Sequence, residues 1–194
     1  MQKQMIYMLM DGWYMIFPRE VAEIQIGDKV ETIPDGLFTN STEITTIAIP
    51  SSVKNLGEYC FAYCTKLDTI YYNATNASET DVYDPVENTV AAPFSNSGKN
   101  LIIGDNVETL PDYVFRSMIY CTEVTLPNGL KTIGKEAFTN WKMTSIEIPS
   151  SVETIGEDCF KNCSSLTNIT INKATDSISG SPWGAPSATI NWTL

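Results

Sequence analysis

Short segments in which apolar and polar residues alternate recur along the whole chain. In the segment 144–148 (Thr-Ser-Ile-Glu-Ile), the isoleucines would lie on one buried face of a strand and the polar residues on the other. A proline follows at position 149 and ends the strand, because proline has no N–H for the ladder. The same pattern predicts eight strands, near 24–26, 47–49, 70–72, 101–103, 124–126, 146–148, 169–171 and 190–192.

The residues that follow these strands also repeat. The sequence Ile-Pro-Ser-Ser-Val-x-x-Leu/Ile-Gly-Glu-x-Cys-Phe occurs at 49–61 and at 148–160, with variants at 26–38, 103–115 and 126–138. Each unit ends on an aromatic residue, and successive aromatics are 23, 33, 21, 23, 22 and 23 residues apart. These aromatics are Phe38, Phe61, Phe94, Phe115, Phe138, Phe160 and Trp183. A period of about 20–29 residues with one strand per repeat predicts a leucine-rich-repeat solenoid, in which stacked repeats bury a common core.

The long gap between Phe61 and Phe94 locates an insertion. From Asn73 to Phe94 is 21 residues, whereas the equivalent step from Asn172 to Trp183 is 11, so ten extra residues lie within 74–93.

The repeats leave no room for a linker or a second domain. We therefore expect one solenoid domain over 1–194, with a degenerate cap or partial repeat at 1–22, repeats at 23–180 and a cap strand at 181–194. Asp11-Gly12 stands between two apolar stretches, 4–10 and 13–17, and predicts a hairpin cap. The alternative is a fragment cut within a longer solenoid.

The repeat pattern L-x-x-I-x-I-P-x-x-V-x-x-I-G-x-x-A/C-F-x-x-C resembles the BspA-type leucine-rich repeat, and residues 146–166 match it almost position for position. The resemblance covers 21–194. It implies a right-handed β/α superhelix of about 23 residues per repeat, with a parallel concave β-sheet and short helical turns on the convex side. It also implies a secreted or surface-attached protein. The better-studied members of this family act in adhesion to host proteins and other cells.

Within one repeat, the residues after the strand cross the convex side. Val152 and Ile155 return over the core, and Gly156 is expected to permit a tight turn. We expect residues 157–163 to form one short helical turn, with Phe160 filling the core between neighbouring repeats.

Composition and charge exclude several functions. The chain of 194 residues has 12 basic and 23 acidic residues, a net charge of −11 and no histidine. The acidity argues against nucleic acid and anionic lipid as partners, and the lack of histidine excludes His-based triads and His metal ligands. The longest apolar run, 5–10, is too short to span a bilayer, and Asp11 interrupts it too early for a signal peptide.

Two of the cysteine pairs, Cys60/Cys64 and Cys159/Cys163, resemble half-sites for a metal. They lie four repeats apart, which puts them roughly 19 Å from each other in a parallel stack and excludes a shared zinc site. A strained disulfide within each pair is the alternative to the interpretation that we favour, small and buried apolar side chains, and Cys121 is also expected in the core.

The acidic insertion is the other candidate for chemistry. Glu79, Asp81, Asp84 and Glu87 have no basic residue between them, but they lack the glycine and the regular spacing of a calcium loop. Nothing predicts the water-excluding pocket that paired catalytic carboxylates need. We therefore expect a solvated loop, no catalytic residue, no metal and no cofactor.

The outward positions of the strands supply the candidate binding site. Most are small and polar, but Tyr71 and Ile102 put apolar groups on neighbouring strands where water is expected, beside the insertion. The site is completed by the outward neighbours Thr69, Asn100, Ala48 and Thr125.

Three functions remain open. The first is a non-catalytic, monomeric binding module, extracellular or at the cell surface, that adheres to a protein or glycan through the concave face. The second is a structural spacer in a larger surface or phage-tail-like protein. The third, a hydrolase acting through the acidic insertion, is disfavoured.

Overall fold

A computed structural model describes residues 24–78 and 91–194 in full, together with the backbone of 6–8, 83–84 and 89–90. In chain order the strands are β1 (Ile6–Met8), β2 (Ile24–Ile26), β3 (Thr32–Ile33), β4 (Thr46–Ile49), β5 (Asn55–Leu56), β6 (Thr69–Tyr72), β7 (Tyr83–Asp84), β8 (Thr89–Val90), β9 (Asn100–Ile103), β10 (Thr109–Leu110), β11 (Glu123–Thr125), β12 (Thr132–Ile133), β13 (Ser145–Ile148), β14 (Thr154–Ile155), β15 (Asn168–Ile171) and β16 (Thr189–Trp192).

The strands form a solenoid with two rows. The front row holds one strand per coil and consists of parallel sheets in the orders β1-β2, β11-β9-β6-β4 and β13-β15-β16. All eight strands predicted from the alternating pattern lie in this row, so that prediction is confirmed. The second row, of two-residue strands in the orders β3-β5 and β10-β12-β14, was missed because two residues carry no readable alternation.

The expected helical turns are wrong: no helix occurs in the described part of the chain. Five of the six core phenylalanines have left-handed residues two before and two after them, as at Tyr59 (φ 51°) and Tyr63 (φ 59°) around Phe61, and Phe94 has one only after it, at Asn96 (φ 55°). An α-helix needs an unbroken run of right-handed residues, so these interruptions prevent one. The fold is therefore a β-solenoid of about six turns rather than a β/α superhelix.

Alternate amides of this aromatic segment donate to the next coil instead of forming a helix. The amides of Gly36, Phe38 and Asn40 donate to carbonyls of the following coil at 2.7, 2.8 and 2.9 Å. The amides between them close turns within their own coil, as in Thr39 N–Gly36 O at 3.0 Å. Hydrogen bonding to the neighbouring coil, which sequence periodicity does not report, decides this conformation.

A column of buried aromatic rings runs through the coils. Each ring centroid lies between 5.0 and 6.1 Å from the next, and all six phenylalanines of the column are fully buried. The column contains Phe38, Phe61, Phe94, Phe115, Phe138 and Phe160. This confirms that the aromatic ending each repeat fills the core between neighbours.

The residue three positions after the aromatic donates to the backbone of the preceding coil. Cys64 Sγ donates to Phe38 O at 3.2 Å, and Cys163 Sγ donates to Phe138 O at 3.1 Å. In two other coils Ser97 Oγ and Trp141 Nε1 do the same at 2.5 and 2.8 Å. The cysteine of the F-x-x-C pattern is therefore a buried donor as well as a small apolar side chain.

The repeated glycine is required by close approach rather than by turn geometry. A Cβ on Gly156 would lie 2.3 Å from the amide nitrogen of Lys135 in the preceding coil, and one on Gly134 would lie 2.5 Å from that of Asp112. Neither glycine has a positive φ. Close contact between the backbones of two coils therefore explains the glycine at position 156, and the tight turn that was expected there does not.

The insertion does not begin directly after β6, which ends at Tyr72, but several residues further along the chain. Ser78 N donates to Lys54 O at 2.8 Å, so Ser78 still follows the regular path beside Asn55. The path resumes at Ala91, whose carbonyl accepts from Tyr59 N at 3.0 Å. The extra ten residues therefore lie between Ser78 and Ala91, within which β7 and β8 pair antiparallel.

The coil that carries the insertion has a different core. By position in the repeat, Asn76 stands where Val53 does but is exposed, and the buried Tyr72 replaces the isoleucine at Ile49. The Tyr72 ring is fully buried and packs edge-to-face on Phe115 at 5.0 Å. Its hydroxyl has no hydrogen-bond partner among the described residues.

At the N-terminal end the structure is only partly described. Strand β1 pairs in parallel with β2, and residues 9–23 lie outside the described part, so the hairpin cap remains a prediction. At the other end Trp183 is buried and β16 completes the front row beside β15.

Replacing Gly156 with alanine should destabilise the protein by about 1–3 kcal/mol, because its Cβ would overlap the backbone of the preceding coil. Gly36 is the matched control: its φ is 60° but the nearest atom to a Cβ is 3.5 Å away. Gly36→Ala should therefore cost only the left-handed strain, about 1 kcal/mol. Urea unfolding measures both, and equal stability of Gly156→Ala and the parent would contradict the close-approach explanation.

Removing the Tyr72 hydroxyl should leave the protein equally stable or stabilise it by about 1 kcal/mol, because an unpartnered buried hydroxyl carries a desolvation cost. Tyr72→Phe keeps the ring on Phe115. The control Tyr72→Leu should destabilise by loss of that packing. A lower midpoint of urea unfolding for Tyr72→Phe would show that the hydroxyl has a partner after all.

Candidate binding face

The outward-pointing side chains of the front row form the candidate binding face, which we call the front face. Parallel register aligns Ala48, Tyr71, Ile102 and Thr125 across β4, β6, β9 and β11, so four of the six predicted site residues are direct neighbours. Tyr71 is 41% exposed and Ile102 is 47% exposed. The structure thus places these two side chains together on the front face, as expected.

The other two predicted site residues, Thr69 and Asn100, lie in the adjacent column and are held by Asp68. Thr69 Oγ1 and Asn100 Nδ2 both donate to Asp68 Oδ2, at 3.2 and 3.3 Å. Lys99 Nζ lies 3.8 Å from the other carboxylate oxygen. This network fixes a small polar edge beside Tyr71 and Ile102.

The insertion was expected to leave the chain beside Tyr71 and Ile102, and this part of the prediction is wrong. The chain crosses to the second row first, where Ser78 Oγ donates to Asn55 Oδ1 at 2.8 Å, and the extra residues begin there. The side chains of Glu79, Asp81, Asp84 and Glu87 lie outside the described residues. They are therefore not part of the site described here.

Between the described strands the front row is interrupted at two places, between β2 and β4 and between β11 and β13, where no backbone ladder joins the strands. At the second of these, β11 ends at Thr125 while β13 continues to Ile148. The turn before β13 is one residue shorter than the turn before β15, since Phe138 and Ile148 are ten residues apart and Phe160 and Ile171 eleven. In this turn Trp141 occupies the position that Cys64 and Ser97 occupy in their coils, and its Nε1 donates to Phe115 O at 2.8 Å.

A cleft of about 270 Å³ opens at this break. Its polar lining comprises Thr125, Asn128, Glu147 and Asn172, and the rest is formed mainly by Val124, Leu126 and Pro149. Asn172 Nδ2 donates to Glu147 Oε1 at 2.7 Å, which orients the carboxylate. Sequence reasoning missed this cleft, because the step of 22 residues from Phe138 to Phe160 lies within the range of the other steps and carries no distinct signal.

The charge on the front face has one sign. Among its described outward positions on the strands, Glu123 and Glu147 are acidic and none is basic. Both glutamates are exposed. The lysines near the front row are placed elsewhere: Lys66 pairs with Glu43 at 2.7 Å, and Lys99 lies beside Asp68.

The five cysteines are buried and free, so neither pair forms the disulfide that was considered. Burial raises the pKa of Cys64 and Cys163 to about 11 and that of Cys121 to about 12. Burial also raises the pKa of Cys60 and Cys159 far above the ordinary thiol range. At neutral pH these thiols are protonated and suited to hydrogen bonding rather than to nucleophilic or metal chemistry.

Two further findings concern only the described residues. No three of their cysteine, aspartate and glutamate side chains are grouped closely enough to hold a metal ion. They also include no helix with the length and apolar character needed to cross a bilayer.

Comparison with known proteins agrees with the repeat pattern. The profile of the "BspA type Leucine rich repeat region" matches six copies over residues 17–83 and 92–183. The chain belongs to the BspA-type leucine-rich repeat family. The resemblance drawn from the repeat sequence is thereby confirmed, and no enzyme family is indicated for this BspA-type chain.

One solved structure shares the solenoid at low sequence identity. A leucine-rich repeat protein from Bacteroides ovatus aligns with a TM-score of 0.60 and 21% identity, over 89% of this chain and 49% of that one. A leucine rich cell surface protein from Faecalibacterium prausnitzii aligns with a TM-score of 0.40 and 20% identity, over 90% of this chain and 54% of that one.

The pneumococcal vaccine antigen PcpA aligns with a TM-score of 0.39 and 18% identity, over 90% of this chain and 61% of that one. The BspA-type chain thus spans about half to three fifths of these solved structures. A search of curated proteins found no significant match.

Raising the pH should destabilise the protein from about pH 9 upward. The folded thiols keep their protons to higher pH than unfolded thiols, so the stability they confer is complete below about pH 9 and is lost as the pH rises toward 11–12. At pH 10 we expect a loss of about 1 kcal/mol per thiol. Urea unfolding at pH 7.5 and pH 10 measures it.

The control for this experiment is Cys64→Ser/Cys163→Ser. Serine does not titrate and keeps a donor for the phenylalanine carbonyl, as Ser97 shows. Its loss of stability between the two pH values should be smaller than that of the parent. An identical loss would show that these thiols do not cause the pH dependence.

Proposed function

We propose that this solenoid is a non-catalytic binding module that acts outside the cell or at its surface and adheres to a protein or glycan through the front face. The observation that carries the proposal is the pair Tyr71 and Ile102, two exposed apolar side chains in register on neighbouring strands of an otherwise polar sheet. Such an apolar centre with a polar surround is how binding hot spots are commonly built.

The scaffold supports this function. Parallel pairing on both sides fixes the backbone under Tyr71 and Ile102, so binding does not require ordering a loop. The Asp68 network provides the polar border on one side. The extracellular or surface location is proposed from the family, and the net charge of −11 disfavours nucleic acid as the partner.

No cofactor or catalytic group is part of the proposal, and a monomer is sufficient for it. The second candidate function is a structural spacer in a larger surface or phage-tail-like protein. It is favoured by the small polar side chains that fill most other positions of the front face, such as Thr46, Ser145 and Thr170.

A surface-binding screen of the purified chain against extracellular-matrix proteins, mucins and a glycan panel tests the proposal. We expect saturable binding by the parent and a loss of at least about tenfold in Tyr71→Ser/Ile102→Ser, since an exposed apolar hot spot contributes about 2 kcal/mol or more. The matched control is Tyr63→Ser/Tyr120→Ser, which removes two side chains 44% and 47% exposed that lie outside the front-row strands.

The control variant should bind like the parent, and both variants should keep the parent's cooperative thermal unfolding. Binding that survives Tyr71→Ser/Ile102→Ser would show that another face is used. No binding to any member of the panel would favour the spacer.

A further inference from the structure

We propose that the partner recognised by the front face is a protein segment that carries an arginine or lysine close to an apolar side chain, with the cationic group held by Glu147 in the cleft between β11 and β13. This inference rests on the proposed function, because it extends the apolar site at Tyr71 and Ile102 into the cleft.

The register makes the two parts continuous. Thr125 is the partner of Ile102 on the neighbouring strand and also lines the cleft, on whose far side Glu147 lies. A ligand seated on Ile102 therefore reaches the cleft by crossing one strand. Two strand steps separate Ile102 from Glu147, which is at least about 10 Å, because ladder spacing applies to the first step and no ladder closes the second.

Glu147 has the geometry of an acceptor for a cation. Asn172 donates to Oε1 at 2.7 Å and holds the carboxylate at the mouth of the cleft, while Oε2 has no partner among the described residues. Thr125 and Asn128 line the same cleft and offer further polar contacts. A guanidinium suits such a site because its planar fork matches a carboxylate.

Charge complementarity favours a cationic protein segment over a neutral glycan. The described outward positions of the front-row strands include Glu123 and Glu147 and no lysine or arginine, so no basic side chain on this face competes for the two carboxylates. The whole chain carries a net charge of −11, which attracts basic partners over longer distances.

The spacing sets the design of the probe. An extended peptide advances about 3.3–3.6 Å per residue, so roughly 10 Å corresponds to about three residues between an apolar and a cationic side chain. The probes are fluorescein-labelled nonapeptides of glycine, serine and threonine with one leucine and one arginine separated by one to five residues. Companion peptides replace the arginine with glutamine or glutamate.

We expect the parent to bind the arginine peptides best when the two side chains are about three residues apart, and more weakly at 0.5 M than at 0.05 M NaCl. Glu147→Gln should weaken arginine-peptide binding about three- to tenfold, a typical range for a charge-assisted hydrogen bond, and should leave glutamine-peptide binding unchanged. The control Glu153→Gln makes the same charge change at an exposed residue beside β14 in the second row and should have no effect.

Three results would overturn the inference. Equal affinity for arginine and glutamate peptides, unchanged arginine-peptide binding in Glu147→Gln, or binding of neutral glycans without any peptide would each do so. Peptide binding lost in Tyr71→Ser/Ile102→Ser but unaffected by Glu147→Gln would overturn the cation site and leave the proposed function standing. Failure of every peptide, with matrix proteins still bound through Tyr71 and Ile102, would do the same.

Discussion

Hydrogen bonding between one coil and the next is the constraint on which the structure depends. Neighbouring coils are held at strand spacing along most of the front row, within the two sheets of the second row and along the aromatic segment, because backbone groups bond across all three. A coil that met this spacing in the front row alone would leave buried amides and carbonyls without partners. The repeat length and the shape of each turn follow from this requirement.

Several features of the repeat sequence are consequences of that spacing. Glycine stands at Gly134 and Gly156 because the backbone of the preceding coil occupies the space of a Cβ. Donor-bearing residues follow the aromatic in four coils, where Cys163 and Ser97 supply a partner to the phenylalanine carbonyl of the preceding coil and Cys64 adds a second donor to one that already accepts from Ser41 N. The cysteines that resemble metal half-sites therefore serve as hydrogen-bond donors to buried carbonyls.

The same regularity makes departures from the pattern informative about function. The ladder fixes every outward position on the front row, so an apolar pair such as Tyr71 and Ile102 cannot move into the core. Between β11 and β13, where no ladder joins the strands, the front face contains a cleft. The carboxylate of Glu147 lines this cleft and is oriented by Asn172. The proposed binding site therefore consists of local exceptions within a uniform scaffold.

The sequence by itself determined the solenoid, its front-row strands, the aromatic column and the neighbourhood of Tyr71 and Ile102, because all of these rest on periodicity. Only the tertiary structure decided the conformation of the aromatic segment, the position of the insertion after Ser78 and the cleft at Glu147. Each of these depends on which backbone groups of the next coil are within hydrogen-bonding distance. The sequence of one repeat does not specify the distances between coils.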